Sequence, residues 1–318
     1  MQTLLDRLNF TVRVMTAIVS TAINLPLLIF LQRNEKARED IVSMLMRSMT
    51  VLELVGGTLV AGFNALFIVV PSADVPPGLV TFAGSIQHIA TDCFIVHLAA
   101  MSACKCYVIT RPLTYFTVLT NRVINVLVAA IWIFNCVMII GADLAGVQWV
   151  LDPTFHTSAP VGNPKPGRAL RIFEVGVVHL VSMLIILVSF ARMLIVVRQH
   201  HRAIDIQTAT STAEGQQSVH HGWTASIRSA KSLFIIVLAL NVAYLPATAN
   251  FQPDLVLPIW YMTMSTWLVT TSFVLNGILY ILLYKSTRRD FGRMFFGRCM
   301  VSKVSPEATN EANQEVNH

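Results

Sequence analysis

Ionisable side chains interrupt the apolar runs of this chain at a few places, and any chemistry must start there. Glu53 sits in the middle of one run, with Asn24 and Asn276 at matching depth in two others. Polar groups are expensive in hydrocarbon and are functional candidates for that reason. A carboxylate in low dielectric must be compensated or neutralised, so this trio suits a cation or a proton. It suits interhelical glue equally well. A second group comprises Gln87, His88, Thr91 and Asp92, in which 88 and 92 share a helix face by i, i+4 spacing. Glu174 and His179, Tyr244 and Asn250, and Trp267 and Thr270 fall at comparable depth in three further runs. Together these outline a ligand pocket between helices. For any one of them, packing or an interhelical hydrogen bond is the commoner role.

Other chemistries find little support. The five cysteines (93, 104, 106, 136 and 299) lie within apolar runs or on the side assigned below to the cytoplasm, which leaves none for an extracellular disulfide. Cys104 and Cys106, in CKCYVITRPLTY, are spaced C-x-C without matching partners, so no zinc site is expected. The pairs His200-His201 and His220-His221 read as solvated loop histidines. Cys299, just past FGRMFFGRCM, fits either reversible palmitoylation beside an interfacial helix or a plain free thiol. There is no H-E-x-x-H, P-loop or G-x-S-x-G motif, and no soluble portion large enough for an enzyme. The expectation is a non-enzyme without metal or cofactor.

The elements that must position these residues follow from composition. Of 318 residues 54% are apolar and 13% charged, against about a quarter charged in soluble domains. That points to an integral membrane protein, with lipid rather than nucleic acid around it. Seven apolar segments run at 10–32, 41–70, 79–109, 122–142, 171–198, 230–250 and 258–284. Each is long enough to cross about 30 Å of hydrocarbon as a helix, the form in which a lone segment satisfies its own backbone in lipid.

Five basic residues (Arg7, Arg13, Lys165, Arg168 and Arg171) fall on the N-terminal side and the other eighteen on the opposite side. By the positive-inside bias the N-terminus is outside. No cleavable signal peptide is evident, and Asn9-Phe10-Thr11 is a glycosylation acceptor on the short outer tail. The expected organisation is an outer tail over 1–9, a bundle over 10–284, an amphipathic helix over 285–298 and a disordered cytoplasmic tail over 299–318. Pro246 interrupts the sixth helix and Gly277 loosens the seventh. Gly57 and Ala61 form a small-xxx-small step for close helix packing.

Taken in order, these landmarks resemble the rhodopsin-like family of G-protein-coupled receptors. Asn24 matches that family's first-helix asparagine, and Glu53 stands where its second-helix aspartate is expected. CKCYVITRPLTY aligns with D-R-Y-x-x-I-x-x-P-L-x-Y, retaining Ile109, Pro112, Leu113 and Tyr115. Trp132 fits the fourth-helix tryptophan, AYLP (243–246) resembles C-W-x-P, and NGILY (276–280) resembles N-P-x-x-Y with Asn276 and Tyr280 kept. YKSTRRDFGRMF is similar to the short membrane-lying eighth helix.

The resemblance implies an all-α seven-transmembrane bundle at the plasma membrane with a pocket in its outer half. Its partners would be a small-molecule or short-peptide ligand and a heterotrimeric G protein, in the manner of a chemosensory receptor. Asn24, Glu53, Asn276 and Tyr280 would form its switch, Pro246 its kink, and Cys104, Lys105, Cys106, Pro112 and Tyr115 its G-protein-facing end. Lys105 and Cys104 replace the family's arginine and acid, and the family's extracellular disulfide has no cysteine at Val80 or in the loop 143–170. A proton- or ion-coupled transporter or channel using Glu53 and Asp92, and a non-signalling decoy receptor, are the alternatives. The absence of internal repeats weighs against the transporter.

Overall fold

The computed structural model describes residues 4–34, 41–152, 156–162, 169, 172–210, 258–283 and 285–297. Among these residues six helices are long and apolar enough to cross a membrane. They occupy the places of the first five and the seventh expected spans. The sixth, with Tyr244, Pro246 and Asn250, lies outside the described residues, as do Cys299 and the tail.

The first span, Leu4–Arg33, carries Pro26 within it, which forgoes one backbone hydrogen bond. It begins inside the stretch expected as an outer tail. Asn9 and Arg13 explain why: both are buried against the bundle, so the helix that presents them extends outward to Leu4. The second span is built from Ile41–Leu54, a π-helical turn Val55–Val60 and Ala61–Val69. The third, Pro77–Thr110, starts with proline at its first position, where a missing N–H costs nothing. It ends because Pro112 forces Arg111 out of the helical region, to φ −133° and ψ 59°. The fourth, Asn121–Leu144, is capped by Thr120, whose hydroxyl accepts from the Val123 amide at 3.4 Å. The fifth opens with a π-helical turn, Glu174–His179, and continues as Leu180–Thr210, well past the expected boundary at 198. The seventh is Ile259–Leu283, followed by the amphipathic helix Lys285–Phe296.

The Pro- and Gly-rich outer loop forms a hairpin. Strand β1 (Val147–Leu151) pairs antiparallel with β2 (Ser158–Gly162), Trp149 opposite Pro160. Val147 and Trp149 turn inward while Gln148 and Val150 face out, the alternation a half-buried strand requires. Trp149 and Ser158 seat on Gly84 of the third helix, where a side chain would collide with both.

The third helix runs through the middle, packed on the second, fourth and fifth helices and the hairpin, and the first packs on the second and seventh. The main core is rich in methionine (Met44, Met46, Met49, Met101) and is tied by Phe94 and Phe273, whose rings meet edge-on at 5.7 Å. Phe30 against Phe291, at 5.8 Å, docks the amphipathic helix on the first span.

Candidate functional site

At mid-depth the first, second and seventh helices converge on Glu53, which is fully buried. Asn276 donates from Nδ2 to Glu53 Oε1. Asn24 donates to Ser20 Oγ at 3.1 Å and to the Phe273 carbonyl at 3.0 Å, while Ser20 donates to the Glu53 carbonyl at 3.0 Å. Three absent side chains make this possible. Gly277 leaves room for Asn24 Oδ1, Gly57 for Ser20 Oγ, and Gly56 for the Phe273 ring. The π turn that carries Gly56 and Gly57 begins two residues after Glu53. Extra residues in a helical turn recur at functional sites because they re-aim neighbouring side chains. Tyr280 sits one turn inward, its hydroxyl 3.3 Å from Ser43 Oγ.

Nearer the outer end the third and fifth helices are joined by two histidine–carboxylate pairs. His88 Nδ1 lies 2.8 Å from Glu174 Oε1, and His179 Nε2 lies 3.5 Å from Asp92 Oδ1. All four residues are buried. On the third helix the i, i+4 spacing aligns them. On the fifth, residues five apart would diverge by about 140° in an α-helix, and the π turn Glu174–His179 narrows that divergence. Glu174 Oε2 has no hydrogen-bond partner among the described residues. Trp149 closes the centre from above, its ring 4.8 Å from that of His88 and its indole N–H donating to Asp143 Oδ1 at 2.6 Å.

Among the described residues, three other pocket candidates bond outside this centre. Gln87 accepts from Asn64 at 3.4 Å on the second span, and Trp267 donates to Asn9 at 2.7 Å on the first. Thr270 bonds to its own helix at the Thr266 carbonyl. Thr91 is half-buried beside Asp92. Asn9, expected on the outer tail, is instead buried in the bundle, its Oδ1 accepting from Trp267 while its Nδ2 has no hydrogen-bond partner among the described residues. At the cytoplasmic end, Cys104 and Cys106 are also buried, contrary to the expectation that they face a partner. They lie about 200° apart around the helix. Cys104 enters the main core, and Cys106 packs with Ile109 and Met193. Lys105 is half-buried between them and Pro112 is exposed, as are Leu113 at 91% and Phe116 at 69%.

Sequence reasoning missed a third arrangement. Trp132 Nε1 donates to Ser48 Oγ at 2.9 Å, Ser48 meets His97 Nε2 at 2.8 Å, and His97 Nδ1 meets the Cys93 carbonyl at 2.7 Å. This chain ties the second, third and fourth helices with both nitrogens of a buried imidazole used. Trp132 was the available signal, since a buried indole N–H requires an acceptor.

The sequence matches the family model described as 7 transmembrane receptor (rhodopsin family) over residues 23–280. It is 21% identical over 219 residues to trace amine-associated receptor 8b of Rattus norvegicus, a match that covers 65% of this chain. The chain spans about 62% of that relative's length. The fold superposes on the crystal structure of squid rhodopsin with a TM-score of 0.80 at 14% identity, covering 100% of this chain and 94% of the other.

Proposed function

This chain belongs to the rhodopsin family of seven-transmembrane receptors, and on that premise we propose that it binds a small molecule or short peptide in its outer half at the plasma membrane and signals to a heterotrimeric G protein. The observation that carries the ligand half is the polar centre of His88, Asp92, Glu174 and His179, buried beneath Trp149. Two carboxylates and two imidazoles held out of water are costly for the fold unless they are matched by each other or by a ligand. The similarity to a trace amine-associated receptor puts small amines first in a ligand panel.

The inner loop supports the coupling half. Leu113 and Phe116 stand exposed next to the end of the third helix, and exposed large apolar side chains grouped at a protein's rim mark interaction surfaces. Ligand-stimulated nucleotide exchange on purified G proteins tests the reading. Exchange should occur with the native receptor and disappear in Leu113→Asp, with surface expression unchanged. Ligand binding without exchange in any G-protein class would indicate a decoy instead.

A further inference from the structure

We propose that the outer end of this receptor is a proton-binding site, in which protons taken up by histidines fasten the outer hairpin onto the bundle. This rests on the receptor reading only in making extracellular acid a ligand. The geometry stands by itself. Four histidines have described side chains. Three of them lie in the outer half, and each faces a carboxylate from a distant part of the chain: His88 with Glu174 at 2.8 Å, His179 with Asp92 at 3.5 Å and His156 with Asp6 at 3.3 Å. The fourth, His97, lies deeper and spends both ring nitrogens on Ser48 and a backbone carbonyl. Imidazole is the side chain that gains a proton between about pH 5 and 8. In each outer pair a carboxylate faces one ring nitrogen, so the charge an imidazole gains with its second proton is held there by an opposite charge.

The pairs are linked mechanically through the hairpin. His156 fixes its turn end to the first helix, where Arg13 also donates to the His156 carbonyl at 2.8 Å. Trp149 of the same hairpin covers His88 and bonds Asp143 of the fourth helix, which in turn accepts from Ser85 at 3.2 Å. The charged groups around the latch are thus Asp6 and Arg13 on the first helix, Asp152 and His156 on the hairpin, and Asp143 on the fourth. Among the described residues, His88 and Asp92 on the third and Glu174 and His179 on the fifth complete the set. The seventh helix brings no charged residue over 259–283. The side chains of His156 and Asp6 are 20% and 21% exposed, against at most 9% for the two inner pairs. A proton from bulk water therefore reaches His156 directly, and reaches the inner pairs when the hairpin lifts.

Hydrogen–deuterium exchange of the 147–151 amides tests this in the full-length receptor in lipid nanodiscs, without ligand or G protein. After correction for intrinsic rates, exchange at pH 6 should be several-fold slower than at pH 8. His156→Gln and Glu174→Gln should each remove part of that difference, and the double variant most of it, leaving only what His179 and Asp92 supply. Protection of residues 98–104 in the third helix reports that the variants are folded. If Glu174→Gln fails that control, Asp6→Asn tests the exposed pair alone. Equal protection at both pH values in the native receptor, or an undiminished difference in the double variant, overturns the proposal. Absent nucleotide exchange with an intact pH response would instead defeat the coupling reading and leave this site standing.

Discussion

The Glu53 centre and the centre beneath Trp149 are both polar islands in an apolar bundle, and they are built from opposite materials. Around Glu53 the partners are amides, hydroxyls and carbonyls, brought close by Gly56, Gly57 and Gly277. Among those groups the one carboxyl is the only ionisable side chain. Around Glu174 the partners are imidazoles and a second carboxylate, and the cover is a hairpin rather than another helix. The first centre is fully buried between helices, away from the outside medium. The second exposes acid–base chemistry to whatever lifts or seats its cover. Such a division suits a receptor, in which a responsive outer site must bias a well-defined junction deeper in the bundle.

The Glu53 side of this contrast breaks most severely at Gly277. In Gly277→Val the new side chain meets Asn24 Oδ1 and forces Asn24 off both Ser20 and the Phe273 carbonyl. Overpacking costs about 1–3 kcal/mol, and unpairing a buried amide adds about 1–3 kcal/mol. Thermal unfolding in detergent should show a midpoint lowered by many degrees, equally at pH 6 and pH 8. A pH-dependent loss would mean that the two centres are not separate.

Asn276→Ala is the next step down. It strips Glu53 of its donor and should cost about 2 kcal/mol, the scale of a buried group left unpaired. Glu53→Gln keeps an acceptor for Asn276 and should cost less. The two substitutions combined should cost less than their sum, because both act on one bond. Unfolding midpoints of the four proteins close the cycle, and simple additivity would show that the Glu53–Asn276 contact carries no energy.

How much of this could be read beforehand divides along the same line. Span positions were legible because hydrocarbon thickness sets helix length and hydropathy records it. The trio Asn24, Glu53 and Asn276 was legible because equal depth in adjacent spans brings side chains together. His88 and Asp92 were legible by helical spacing, whereas the closer alignment of Glu174 with His179 depends on a π turn that no local pattern announces. The burial of Asn9 was not legible because a sequon describes three residues and says nothing of Trp267, far along the chain, which donates to its Oδ1. The hairpin was hidden in five alternating residues whose inward face is defined only by Gly84 across the interface. Cys104 and Cys106 read as one motif, but helix geometry turns them to different neighbours.

On the responsive side, Trp149→Phe keeps an aromatic ring over His88 and removes the indole N–H that Asp143 accepts. A hydrogen bond to a charged acceptor is worth about 1.5–3 kcal/mol, and its loss falls on the hairpin rather than on the whole bundle. Exchange of the 147–151 amides should quicken by about tenfold or more while the unfolding midpoint barely moves. A fall in the midpoint comparable with that of Asn276→Ala would show that the hairpin is part of the global core.

The smallest expected effect is the most informative about how the hairpin is held. In the family resembled here a disulfide ties this loop to the top of the third helix. In this chain Ser158 Oγ donates to the Val80 carbonyl at 2.8 Å in that place. Ser158→Ala removes one neutral hydrogen bond, worth about 0.5–1.5 kcal/mol, and leaves Trp149 on Gly84, His156 on Asp6 and Arg13 on the His156 carbonyl in position. Exchange of the hairpin amides should therefore rise by less than in Trp149→Phe, at pH 6 and pH 8 alike. A larger rise would concentrate the attachment at the single point where a disulfide would have been. A small one shows it spread over contacts that can yield one at a time, as a cover that opens and closes requires.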